Sequence, residues 1–291
     1  MALSKTAEYV AFYRALETLE RRREPLFEDA FAASFLWPPH ALAIRASRAG
    51  AVHGLVCMHV DRNAPGARLV SALRTRFFDD LARDSAAHGI RQLVVLGAGF
   101  DCRAHRLAEL STTRVFEVDR EEMSAAKQAG LRRAQARARE DIHYVGSDLA
   151  AEAPNDALIR SGWDATLPTL FLCEGVTNYL TEAAVLRIFS ATGRAAPKSR
   201  LAFSYIDRAL LDGTFRGRDG ARLRHRVREL KEPWTFGIDP AEVQALLAGH
   251  GLTLREELSM ETCRRRYWGA ATLPEAGSTL FECARVAVAH A

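Results

Sequence analysis

The segment Val94-Val-Leu-Gly-Ala-Gly-Phe-Asp101 constrains the fold more than any other: an apolar run passes directly into Gly-x-Gly. A buried strand, two close glycines and then a helix make the nucleotide-binding turn of doubly wound α/β folds. Glycine there reaches backbone conformations barred to other residues and lets a ligand approach the main chain. The surrounding pattern agrees. Short apolar strands are expected at 92–96, 113–118, 142–145, 168–173 and 200–205, separated by helices at 102–110, 121–139 and 182–193. That alternation predicts a mostly parallel sheet with helices on both faces. A helix at 240–249, a strand at 252–259 and a last apolar run at 279–288 suggest seven strands with an antiparallel edge.

The first 90 residues show no strand pattern. Helices are expected at 4–22, with Ser4 as N-cap, and at 40–60 and 68–87, while Pro38-Pro39 resists continuation of the apolar stretch that ends at Trp37. The 291 residues therefore divide into an N-terminal helical cap, 1–90, and an α/β domain, 91–291. Residues 208–238 are too long for a plain connection and read as a lid. The lid carries Arg216, Arg218, Arg222, Arg224 and Arg226, and a solvated amphipathic helix is expected at 219–231.

Forty basic and thirty-six acidic residues leave a net charge of +4, with acids interspersed throughout. No basic stripe marks a nucleic-acid binder. No apolar run approaches the roughly 20 residues of a membrane span. Five cysteines, an odd number without CxxC spacing, argue against a disulfide framework or a zinc site. With no hydrophobic signal core at the start, the expectation is a reducing, cytoplasmic compartment and no metal.

The acids identify the expected ligand. Asp119 ends the second strand, twenty-two positions after Gly97, where a carboxylate accepts hydrogen bonds from ribose hydroxyls. A dinucleotide site wants a third glycine at position 102, occupied here by Cys102, and no negative charge beside the pyrophosphate, yet Asp101 follows the turn. A carboxylate beside two phosphates is repulsive and costly to desolvate. S-adenosyl-L-methionine has no phosphate, and its sulfonium and ammonium groups suit an acidic loop. Asp148, at the tip of the third strand, can accept from an adenine amino group, with Leu149 packing near the ring.

Three motifs, Leu-Gly-Ala-Gly-Phe-Asp-Cys-Arg (96–103), Phe-Glu-Val-Asp (116–119) and Cys-Glu-Gly-Val-Thr-Asn-Tyr-Leu (173–180), resemble the leucine carboxyl methyltransferase family. They are closest to its bacterial branch of polyketide O-methyltransferases of the tetracenomycin type. Ser4-Lys-Thr-Ala7, Pro25-Leu-Phe-Glu-Asp29 and Arg74-Thr-Arg-Phe-Phe-Asp-Asp80 extend the likeness, which thins after residue 205. It implies a class I methyltransferase fold, S-adenosyl-L-methionine as donor and S-adenosyl-L-homocysteine as product. It further implies that Arg74 and Lys5 pair with the donor's carboxylate. Gly97 and Gly99 would line its methionine portion and Asp119 would hold the ribose, with Ala98, Asp101 and Arg120 also among the donor-binding residues. Glu174 would contact the amino end or the adjoining substrate space. Family members often carry a proline soon after the Asp of the second motif, where this chain has Arg120-Glu121-Glu122.

Candidate catalytic groups are Glu174, Tyr179 and Tyr205; His143 falls inside a strand and reads as structural. A carboxylate acceptor is already ionised at neutral pH, whereas a phenol of pKa near ~10 profits from a base. The expected activity is O-methylation of a carboxylate or acidic hydroxyl on a small natural-product-like molecule. Methylation of a protein C-terminus and donor binding without transfer stay open, with a dehydrogenase as the last alternative.

Overall fold

The computed structural model describes residues 4–217, 220–228, 232–269 and 279–291. Helix α1 (Lys5–Thr18) starts where its sequence directs: the Ser4 hydroxyl accepts from the Ala7 amide, one of the orphan donors of a helix start. The apolar stretch before Trp37 forms only a 3-10 turn, Ala32–Phe35. Pro38-Pro39 then opens α2 (Pro38–Ala46) instead of merely ending what precedes it, because proline suits the first helical turn, where its missing N–H has no partner. The helix expected at 40–60 is therefore two, α2 and α3 (Gly50–Asn63), and α4 (Ala67–Ala87) completes the cap.

The α/β region follows as β1 (Gln92–Leu96), α5 (Arg103–Arg106), β2 (Arg114–Asp119), α6 (Glu121–Arg133), β3 (Ile142–Gly146), α7 (Asn155–Arg160), β4 (Thr169–Cys173), α8 (Glu182–Gly193) and β5 (Arg200–Ile206). Beyond it lie α9 (Arg208–Asp212), α10 (Gly220–Arg228), α11 (Val243–Ala248), β6 (Thr253–Ser259), α12 (Met260–Trp268), α13 (Thr279–Cys283) and β7 (Ala284–His290). Three expected boundaries move. The 102–110 helix is α5 plus a separate 3-10 turn. The 121–139 helix stops at Arg133, with Gln135 left-handed at φ 54°. The last apolar run splits into α13 and β7. Of the expected lid helix, 220–228 forms α10. Arg218, Asp219, residues 229–231 and the Arg226 side chain lie outside the described residues.

The sheet runs β3-β2-β1-β4-β5-β7-β6. Strands β1 to β5 are parallel, and β7 is antiparallel to both neighbours. Apolar cores cover both faces. Leu93 and Val95 point into one with α4, α12 and α13, while Val94 and Leu96 point into the other with α8 and α11. Burial on both faces explains why the parallel strands read as continuous apolar runs rather than alternating ones. Cap helix α4 shares its core with β1, so the cap is packed onto the sheet. The strand order reverses beside β1, where β2 and β4 flank it; ligands of such sheets sit there, outside the carboxyl ends of the strands.

The five cysteines are unpaired and buried. His143 lies in β3 and stacks on Phe116 at 4.9 Å, a structural role. Among the described residues, no three His, Cys, Asp or Glu side chains form a metal cluster, and no helix is long and apolar enough to cross a membrane.

Candidate active site

The site begins with the turn after β1. Gly97 and Ala98 both donate their amides to the Val118 carbonyl, at 2.8 and 3.1 Å, which ties the turn to the end of β2. Gly97 is left-handed, φ +66°, and a Cβ there would fall 2.5 Å from Val176 Cγ2; conformation and space both demand glycine. Gly99 then donates its amide to Asp119 Oδ2 at 2.7 Å, and the Arg120 amide donates to Oδ1 at 2.7 Å. The Asp119 carboxylate thus fixes the turn and lines the cavity, and each of its oxygens keeps a further acceptor site. Asp148 lies exposed at the tip of β3, its Oδ1 accepting from the Ala150 amide at 3.0 Å.

Beneath the turn is a charge network in which three arginines face three acids. Arg103, 2% exposed, donates from Nη2 to Glu174 Oε2 at 2.6 Å, and its Nη1 lies 3.2 Å from Asp101 Oδ2. Arg74 donates from Nε to Glu174 Oε1 at 3.1 Å. Arg106 grips Asp79 with two bonds, at 2.5 and 2.6 Å. Burial by itself would push Glu174 up, but the Arg103 and Arg74 guanidiniums outweigh it and hold the carboxyl below its ordinary range. Asp101 is held low in the same way, burial being overcome by Arg103 and Lys127. Both acids are therefore ionised at neutral pH.

The opposite wall comes from the start of α1 and from the stretch 232–235. The N-terminus of α1 presents Ser4, Thr6, Ala7 and Val10 to a cavity of about 530 Å³. Glu232, from the lid, reaches across to it. One carboxylate oxygen accepts from the Ser4 hydroxyl at 3.1 Å, from the Thr6 amide at 3.2 Å and from the Thr6 hydroxyl. An acid at a helix N-terminus satisfies orphan amides and complements the helix dipole. Thr235 anchors the same stretch, donating its amide to the Asn178 carbonyl at 2.7 Å and its hydroxyl to the Leu180 carbonyl at 2.9 Å.

The cavity brings together Arg74, Gly97, Ala98, Gly99, Asp101, Asp119, Arg120, Asp148, Glu174 and Tyr179 from the sequence-based set. Three others lie elsewhere. The Lys5 side chain is exposed, and it is the neighbours Ser4 and Thr6 that line the cavity. Leu149 is buried in the core beneath the β3 tip. Tyr205 corrects an expectation: its hydroxyl donates to Glu257 Oε1 at 2.8 Å, away from the cavity, and burial with that carboxylate raises its pKa. Strand alternation is the reason, since successive side chains leave opposite faces. It is Ser204 that serves the site, accepting from the Gly175 amide at 2.7 Å. Sequence reasoning missed Arg14, Arg103, Arg106 and Glu232 as lining residues. Arg103 stood inside the quoted motif, but nothing local marks an arginine as buried.

Comparison with known proteins decides the family. The profile of the leucine carboxyl methyltransferase family matches residues 7–193. The chain belongs to the leucine carboxyl methyltransferase family. Among its relatives is a protein of Mycolicibacterium smegmatis named as a candidate S-adenosyl-L-methionine-dependent methyltransferase, 34% identical over 86% of this chain and 82% of that one. A Streptomyces coelicolor protein with the same description is 34% identical over 90% of this chain and 85% of its own length. A solved structure from Thermobifida fusca, described as a candidate methyltransferase, superposes with a TM-score of 0.60 at 17% identity, covering 90% of this chain and 92% of that one. At that identity the likeness speaks to the fold, the class I methyltransferase arrangement of a family member. The profile ends at Gly193, before β5.

Proposed function

We propose that this family member is an S-adenosyl-L-methionine-dependent O-methyltransferase acting on a carboxylate or acidic hydroxyl of a small acceptor. One observation carries the donor assignment: ionised acids surround the glycine turn where a dinucleotide would need to place two phosphates. Asp101, held low by Arg103, would repel a pyrophosphate, and it tolerates a cationic sulfonium. The bare backbone at Gly97 and Gly99 forms the cradle for the methionine portion. The free lone pairs of Asp119 suit ribose hydroxyls, and Asp148 suits an adenine amino group. Arg74 spends Nε on Glu174 and has further N–H donors for the donor's carboxylate.

The donor supplies an activated methyl group on a cationic sulfur. The protein's contribution is to align an acceptor oxygen with that methyl and keep water out, for which positioning is the main resource. The lid stretch 232–235 and the start of α1 close the acceptor side, with Tyr179 as an aromatic wall. Glu174 is a poor proton acceptor here, because two arginines occupy its oxygens and favour its ionised form. That supports an acceptor that arrives already charged, a carboxylate foremost, which needs no base at neutral pH.

Calorimetry with S-adenosyl-L-homocysteine tests the donor site. The protein should bind it, and Asp119→Ala should weaken binding by about ten- to a hundredfold, the loss of two charge-assisted hydrogen bonds. Binding of NAD in its place, or an unchanged affinity in the variant, sinks the assignment. For the acceptor, methyl-labelled donor is incubated with fractionated metabolites and each product is treated with mild base. Release of volatile label identifies an ester; retained label means an ether or amine and refutes the carboxylate preference.

A further inference from the structure

The outer face of the cap carries an exposed surface that the methyl-transfer site does not use. Along α2 and α3 the exposed positions recur at helical spacing, Leu42 and Arg45 on one helix and Leu55, Met58 and Arg62 on the other. Large apolar side chains stand in solvent there: Trp37 is 64% exposed, Leu42 67%, Leu55 60% and Met58 42%. The two helices pack lightly, and α2 buries only Ile44 among its nine residues. Large apolar side chains exposed on two neighbouring helices supply the material of an interaction surface.

Its charge is one-sided. Residues 38–63 contain Arg45, Arg48 and Arg62 and a single acid, Asp61, which is occupied by Arg68 at 2.7 Å. Two more arginines lean onto the face from the loop after α1. Arg21 donates to the Arg48 carbonyl at 3.0 Å, and the Arg22 guanidinium rests on the bare backbone of Gly54, 2.5 Å from where a Cβ would stand. The nearby acids are engaged: Glu8 accepts from the Trp37 amide at 2.9 Å and lies 2.8 Å from His40, and Glu17 and Glu20 are held by Arg23 and His53. Among the described residues, none of Arg21, Arg22, Arg45, Arg48 and Arg62 has an ion-pair partner. Indole, leucine and methionine side chains interspersed with unpaired arginines are what an interfacial helix offers to an anionic bilayer: apolar groups enter the headgroup boundary while guanidiniums pair with lipid phosphates.

We infer that the α2–α3 face of the cap docks the protein peripherally on an anionic membrane surface. The inference is independent of the proposed reaction, since it uses no residue of the cavity. The full chain is tested by co-sedimentation with vesicles containing about one-third phosphatidylglycerol in phosphatidylcholine, and with pure phosphatidylcholine vesicles. Binding is expected to the anionic vesicles only, weakening as salt screens the charges. Arg45→Glu/Arg48→Glu/Arg62→Glu should lower partitioning on the order of a hundredfold, about fivefold per arginine. Leu42→Ser/Leu55→Ser should lower it roughly tenfold, and both sites are exposed enough to leave the fold intact. Circular dichroism and binding of S-adenosyl-L-homocysteine confirm folding of the variants. Absence of vesicle binding at low salt overturns the inference, as does binding that survives both sets of substitutions. A dimer in light scattering that Leu42→Ser/Leu55→Ser dissociates, with no vesicle binding, assigns the face to a second copy of the chain instead. Specific capture of an acidic protein without vesicle binding overturns it likewise.

Discussion

The two walls of the cavity are built on different principles. The sheet wall is rigid and buried: strand tips, a glycine turn fixed by Asp119, and a floor of three arginines against three acids. The facing lid wall is a different construction: among the described residues of 208–238, Phe236 and Ile238 are buried in the core, while polar contacts close the cavity rim. A single half-buried carboxylate, Glu232, meets the start of α1, and Thr235 meets the carbonyls after β4. The difference separates two tasks. On the function proposed above, the sheet wall would hold the donor and the facing wall would close over the acceptor.

The sharpest way to break the sheet wall is Arg103→Met. Arg103 lies within 3.5 Å of Asp79, within 3.2 Å of Asp101 and 2.6 Å from Glu174. Its removal takes one countercharge each from Asp79, Asp101 and Glu174, leaving Arg106 on Asp79, Lys127 near Asp101 and Arg74 on Glu174. Removing one partner of a buried ion pair costs about 3–5 kcal/mol. Urea denaturation should show a loss in that range with an unchanged slope. A loss below about 1 kcal/mol would mean that water or rearrangement compensates the acids and that the wall is not the rigid element described.

Acidification strikes the same wall from the carboxylate side. The folded-state pKa of Glu174 and of Asp101 is depressed by neighbouring arginines. A depressed group contributes stability that is fully present above its unfolded pKa and is lost as pH falls through the folded value. The thermal midpoint should therefore stay level through neutral pH with respect to these groups and drop below about pH 4, where carboxylates protonate. Glu174→Gln starts lower at neutral pH, since two arginines lose their partner, and should lose less on acidification. Parallel pH profiles for the variant and the natural protein would contradict the depressed value.

Legibility in the sequence follows the same division. The sheet wall was readable because its signals are local. Strands buried on both faces spell themselves out as apolar runs, and Asp119 sits at a fixed interval from Gly97. The lid wall was not, because Glu232 finds its partners 228 and 226 residues away, and no periodicity links them. Arg103 lay in plain view within a motif, yet a surface arginine and a buried one are written alike. Tyr205 ends a strand, where a shift of one residue changes the face, so residue type alone does not distinguish it from its neighbour Ser204, which bonds Gly175 at the cavity. Pro38-Pro39 carries two opposite signals, resistance to a helix interior and fitness for a first turn, and the fold uses the second.

The gentlest probe is Glu232→Gln, which keeps the shape of the latch and removes its charge. A charge-assisted hydrogen bond is about twice as strong as a neutral one, so the substitution weakens the closure of lid on α1 by about 1 kcal/mol. The global unfolding free energy should hardly change, because the bonds involved join a surface strap to a helix end. Hydrogen exchange at the Thr6 amide, which donates to Glu232 at 3.2 Å, should accelerate about fivefold while amides of β1 and β4 keep their protection. Affinity for S-adenosyl-L-homocysteine should move less than for Asp119→Ala, since the donor wall is untouched. If exchange at Thr6 is unchanged, the latch is not what holds the lid, and Thr235 is the next bond to cut. If β1 loses protection as well, the two walls move as one body, and the division between a fixed donor side and an opening acceptor side fails.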